Sequence, residues 1–139
     1  MKNIVVIDGQ GGGIGRQLVA KLREALPDAR IAAVGTNSSA ANAMLKAGAS
    51  SGATGENAVL VACRRADVIA GPVGIVIADA LGGEITPAMA VAVAQSPAKR
   101  VLLPFNHCDN VIVGVTDYNV TRLVQGAVEE IRRIFAAET

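Results

Sequence analysis

The run Asp8-Gly9-Gln10-Gly11-Gly12-Gly13-Ile14-Gly15 stands between a short apolar segment and a stretch with helical periodicity. Glycines at such a place let backbone N–H groups approach an anion closely. The N-terminus of the following helix adds unpaired N–H groups and a partial positive charge. A tight strand-to-helix turn with close packing also uses glycine, but this run holds more glycines than a turn needs. The strict dinucleotide spacing G-x-G-x-x-G fails, since Ile14 stands where the third glycine belongs. The expected site is therefore Gly9, Gln10, Gly11, Gly12, Gly13 and Ile14, holding a small phosphorylated or nucleotide ligand. Asp8, beside those glycines, either accepts hydrogen bonds from loop N–H groups or touches a ribose or a metal.

Other groups with chemical potential lie where further strands end. Thr36, Asn37 and Ser38 offer hydroxyls and an amide to a ribose or phosphate. They lack the acid that holds ribose hydroxyls in an NAD site and the arginine that marks an NADP site. NAD(P) or another nucleotide is the cofactor class that such a crevice could take. Gly71, Pro72 and Gly74 form a second turn and are expected to line the same crevice. Asn106 and Cys108, with Asp8, are the candidates for catalysis. His107 sits between them, and adjacent side chains point apart, so no Cys–His nucleophile pair is implied. Cys63 falls on an apolar helix face and reads as a core residue. Asp79 and Glu84 interrupt the most apolar third of the chain and need partners or water. They either line the crevice or end helices in solvent. No metal site is expected from two distant cysteines and one histidine.

Positioning these groups requires an alternation of strands and helices. Apolar runs at Asn3–Ile7, Arg30–Val34, Asp67–Ala70, Arg100–Leu103 and Val111–Val115 read as strands. Helical spacing covers Ile14 to Leu26, Ser38 to Ala47, a segment capped by Thr54 that runs through Arg65, Pro87 to Gln95, and the stretch from Val120 onward. Ser50 to Gly55 reads as a small-residue loop, and Ile75 to Ala80 as helix or strand. Continuously apolar strands separated by helices give an α/β, three-layer, doubly wound, mainly parallel sheet of about five strands, Rossmann-like, in one domain. Ligands in such sheets bind beyond the carboxyl ends of the strands.

Composition narrows the function further. Of 139 residues, 51% are apolar, which excludes disorder. A net charge of +1 and 2% aromatic residues provide neither a basic field nor a stacking platform, so nucleic acid is not an expected partner. The apolar run that ends at Asp8 is only four residues long, Ile4 to Ile7, too short for a secretory h-region. No uncharged stretch reaches the roughly 18 apolar residues of a membrane helix. Two unpaired cysteines complete the expectation of a cytoplasmic, reduced protein. Thr86 to Ala94 has no polar face, which predicts a homodimer through that segment.

Two resemblances add to this. The spacing Gly9-x-x-x-Gly13-x-Gly15 resembles that of short-chain dehydrogenases, with Asp8 where they carry Thr. That likeness stops at Tyr118, which is followed four positions on by Arg122 where a proton-relaying lysine would stand. Taken together, Ile7 to Gly15, Gly35-Thr36-Asn37, Lys46 to Ala49, Gly52 to Asn57, Gly71 to Ile75, Gly83 to Pro87 and Pro104 to Cys108 resemble a small bacterial family known only as a domain of unknown function. The likeness spans essentially the whole chain. It implies a motif Pro-x-Asn-x-Cys matched by Asn106 and Cys108, with His107 at a variable place. Three functions follow: a nucleotide- or dinucleotide-binding protein, a small enzyme on a phosphorylated metabolite using Asp8, Asn106 and Cys108, or a non-catalytic ligand sensor or assembly component.

Overall fold

A computed structural model describes residues 2–105 and 109–138. The elements in chain order are β1 (Asn3–Asp8), α1 (Gly13–Ala25), β2 (Arg30–Gly35), α2 (Ser38–Lys46), β3 (Ser51–Thr54) and α3 (Glu56–Arg65). They continue with β4 (Val68–Pro72), a 3-10 turn (Val73–Val76), α4 (Pro87–Gln95), β5 (Lys99–Leu103) and α5 (Val120–Ala137). The five strands form one sheet in the order β3-β2-β1-β4-β5, with every neighbouring pair parallel.

Strand alternation sorts the core into two layers. Ile4 and Val6 of β1 face α1, α2 and α5, where Leu18, Leu22, Met44, Val128 and Ile131 are buried. Val5 and Ile7 face the other way, toward Val59 and Cys63 of α3 and Met89 and Val93 of α4. Each fully buried aliphatic side chain of this kind stabilises by roughly 1.5–3 kcal/mol. The chain is thus doubly wound, with helices on both faces, as the alternation of elements predicts. Thr86 caps α4 by accepting from the Met89 N–H, and Pro87 occupies the first turn, where its missing N–H costs nothing.

Several expectations need correcting. Ser51–Thr54 is a strand rather than part of a loop. Its small residues give no apolar signal because β3 is an exposed edge, held by backbone pairing from Ala32↔Ser51 to Gly35↔Thr54. Thr54 belongs to that strand, so Gly55 and not Thr54 is the N-cap of α3. Val111–Val115 is not a strand: Val111 and Val113 are 89% and 94% exposed, and Gly114 at φ +94° breaks the extended run. The fourth strand reaches Pro72, so Gly71 and Pro72 are inside it rather than in a turn beyond it. Ile75 to Ala80 is neither a regular helix nor a strand, but the end of the 3-10 turn followed by turns.

Candidate functional site

The β1–α1 loop lies at the carboxyl edge of the sheet, on its central strand. Gly12 N–H donates to the Gly9 carbonyl at 2.9 Å and closes the turn. Gly12 has φ +72°, and a Cβ there would stand 2.9 Å from Ala40 Cα, so the residue is fixed by both conformation and packing on α2. Gly15 lets α1 lie against β1, since its Cβ would meet Met44 Sδ at 2.5 Å and Asp8 Cβ at 2.9 Å. The N-cap Gly12 has no side chain to satisfy the first N–H groups of α1. Asp8 does so from beneath. Its carboxylate, 2% exposed, accepts from Gly9 N–H at 2.8 Å and from Gly15 N–H at 2.7 Å. Burial pushes the Asp8 carboxyl above its ordinary range, against the pull of the Gly15, Gly9 and Ile14 N–H groups, and the nearby Glu84 charge adds to the rise.

A second carboxylate arrives from a distant part of the chain. The β4–α4 connection coils over the sheet edge through positive φ at Asp79, Leu81, Gly82 and Gly83, and buries Leu81 above Gly9. This places Glu84 among three donors. Its Oε1 accepts from Gln10 N–H at 2.9 Å, the Thr36 hydroxyl at 2.5 Å and Asn37 Nδ2 at 2.9 Å. Asn37 also donates to the Gln10 carbonyl at 3.0 Å, and its Oδ1 caps α2 by accepting from Ala40 N–H at 2.8 Å. The Thr36 hydroxyl foremost, then Gln10 N–H and Asn37, hold the Glu84 carboxyl below its ordinary range, with burial opposing.

Gln10, Thr36 and Asn37, expected from sequence around a ligand, are therefore brought together around Glu84. Ser38 begins α2 and is exposed. Glu84 is not a solvated helix end. From the β4–α4 connection it reaches the end of β2 and accepts from Thr36 and Asn37 there. The available signal was a charge in a strongly apolar stretch, which must find donors. Its donors stand more than 40 residues earlier, where only the fold brings them near.

On the other side of the loop the backbone is open. Gly11 and Gly13 are exposed, and a Cβ at either would meet nothing within 4 Å. Their N–H groups donate to no acceptor among the described residues. They border a cleft of about 340 Å³ walled by Asp8, the loop from Gly9 to Ile14, Gln17 and Phe105. Gly74, expected to line this crevice, does not border it; it is buried and donates its N–H to the Phe105 carbonyl at 3.4 Å. Gly71 and Pro72 are buried too, and the bare α-carbon of Gly71 admits the Ile7 carbonyl of β1. Asn106, His107 and Cys108 lie outside the described residues. Cys63 is 2% exposed, and burial pushes its thiol up to about 11, which keeps it protonated and inert at neutral pH. Arg122 pairs with Asp117 at 2.9 Å, while the Tyr118 ring lies 6.1 Å from that of Phe105.

A family model described as a domain of unknown function, DUF3842, matches residues 3–136. The chain belongs to the DUF3842 family. No curated protein matches it in sequence. Among solved structures, it is similar to a dodecameric FMN-dependent UbiX-like decarboxylase from Escherichia coli O157:H7. The identity is 18%, the TM-score is 0.44, and the alignment covers 98% of this chain and 94% of that one. A likeness at that level says nothing about ligand or assembly in DUF3842. No helix among the described residues of this DUF3842 chain is long and apolar enough to cross a membrane.

Proposed function

We propose that the protein binds a nucleotide, dinucleotide or other phosphorylated metabolite, with a phosphate on the N–H groups of Gly11 and Gly13. One observation carries this reading. Gly9, Gly12 and Gly15 are accounted for by close neighbours, whereas Gly11 and Gly13 have none and face the cleft. A side chain at either would cost the fold nothing sterically and would cover the backbone donors. Water satisfies exposed N–H groups equally well, so it is the choice of glycine, rather than the free donors, that points to a ligand.

Asp8 in this reading shapes the loop and does not touch the ligand. Its negative charge is met by backbone N–H groups and lies beneath the helix start, leaving the outer donors to the phosphate. Glu84 sits where the end of β2 meets the loop and, with its Oε1 taken up by Gln10, Thr36 and Asn37, closes that side against the ligand. Gly11→Val and Gly13→Val each abolish nucleotide binding while circular dichroism stays unchanged. A thermal-shift screen with nucleotides, dinucleotides and sugar phosphates, followed by calorimetry, checks this. Unaltered affinity in both variants overturns it.

The protein also pairs with a second copy of itself through the outer face of α4. Met89, Ala90 and Val93 are buried in the core, but Pro87, Ala88, Val91 and Ala94 face outward, with Val91 51% exposed. That face carries no charge, so a two-fold axis on it opposes no like charges. Sedimentation is expected to show a dimer that Val91→Glu dissociates. A monomer at micromolar concentration excludes it.

A further inference from the structure

We infer that a second anion subsite adjoins the glycine loop, and that the ligand carries a phosphate monoester in addition to the phosphate held by Gly11 and Gly13. The inference rests on the glycine-loop reading and extends it to a substrate class. A cleft of about 430 Å³ is lined by Gly11, Arg16, Ser39, Asn42, Ala43 and Lys46. Gly11 borders both this cleft and the glycine-loop cleft, so the two are neighbours.

The charge of this second cleft is one-sided. Arg16 and Lys46 line it, and no acid does. Neither cation enters an ion pair among the described residues. Lys46, in the last turn of α2, sits where the helix dipole favours a cation. Arg16 does not: it follows Gly13, Ile14 and Gly15 in the opening turn of α1, where the dipole opposes positive charge. An anion between the two cations turns that opposition into attraction. The Ser39 hydroxyl and Asn42 amide, one turn apart on α2, add neutral donors to fix its orientation. Glu84 does not border this cleft; it is engaged with Gln10, Thr36 and Asn37.

In a dinucleotide laid across the sheet edge, a diphosphate on Gly11 and Gly13 brings the adenosine ribose toward β2 and α2. A monoester on that ribose then falls on the Arg16–Lys46 side. The ligand class is thus a dinucleotide bearing a 2′-phosphate in preference to one without it.

NADP and NAD differ by that monoester alone and serve as the probes. Calorimetry on the full chain is expected to show NADP binding roughly ten- to hundred-fold more tightly than NAD, the range of one or two charge-assisted hydrogen bonds. Arg16→Gln combined with Lys46→Gln is expected to weaken NADP far more than NAD, so that the two affinities converge, and to leave the circular dichroism spectrum unchanged. A preference that survives in the double variant overturns the subsite. Equal affinity for both probes in the unmodified protein, with NAD binding lost in Gly13→Val, overturns the subsite and leaves the glycine-loop reading standing. Absence of binding by either dinucleotide in the unmodified protein overturns the dinucleotide class, and a sugar phosphate bound in the Gly13-dependent manner then keeps the glycine-loop reading alone.

Discussion

Where β2 ends, Glu84 and Leu81 fill the space over Gly9, and three donors that a ligand could have used are spent on one carboxylate oxygen. On the neighbouring stretch of the same loop, Gly11 and Gly13 face a cleft with their donors unused. The two regions share a backbone segment and a helix start, yet one is closed by the protein's own side chains and the other is not. The contrast teaches that glycine in this loop has two separate causes. Gly12 and Gly15 answer to packing and conformation. Gly11 and Gly13 answer to neither, since a Cβ at either meets nothing within 4 Å.

The largest effect should come from exchanging these roles. Gly12→Val forces a branched side chain into left-handed backbone and against the α2 main chain, and is expected to cost roughly 2–5 kcal/mol. Gly13→Ala, at the first helical position with nothing nearby, is expected to be neutral or to stabilise by up to about 1 kcal/mol. Urea unfolding of the two variants distinguishes them, and similar losses in both would erase the division between packed and open glycines.

Next in size is the closed region itself. Glu84→Ala leaves the Thr36 hydroxyl, the Asn37 amide and Gln10 N–H without their shared acceptor. The expected loss is about 1–3 kcal/mol, the lower end applying if water reaches the partly exposed donors. Glu84→Gln keeps a carbonyl acceptor and should lose less. An undiminished melting temperature in Glu84→Ala would mean that the three bonds hold nothing together.

These regions were unequally legible in sequence. The sheet centre and its helices show in the apolar runs at Asn3–Ile7 and Arg30–Val34 and in the stripe Val124, Ala127, Val128 and Ile131, because burial on that scale leaves periodicity behind. β3 left none, since an exposed edge of Ser, Gly, Ala and Thr needs backbone partners rather than apolar side chains. Val111 to Val115 misled for the opposite reason: apolar composition without a strand to pair with. The glycine run announced the open region. The closed region hid, because Glu84 and Thr36 meet only after the β4–α4 connection folds back over the sheet, and local spacing carries no trace of that. Thr36 and Asn37 were singled out for their donors, and donors they are, but toward a carboxylate within the chain.

The smallest expected effect links the two carboxylates. Asp8 titrates above its unfolded value, so its protonated form is favoured in the folded state, and the stability it contributes at low pH is lost as pH rises through its folded pKa. Glu84 titrates below its unfolded value, so its contribution is present above that value and is lost as pH falls through its folded pKa. The two therefore act with opposite sign in the acid range. Glu84→Gln removes the acid-side loss owed to Glu84 and, by removing a neighbouring negative charge, lets Asp8 ionise more easily. The Asp8 carboxyl should accordingly titrate at lower pH in Glu84→Gln than in the unmodified protein, by carbon-detected NMR of the side chain. The shift is small because burial and the Gly15 and Gly9 N–H groups outrank the Glu84 charge among the causes acting on Asp8. An Asp8 midpoint that stays put or rises would show that the closed side of the loop does not communicate electrostatically with the buried carboxylate under the open side.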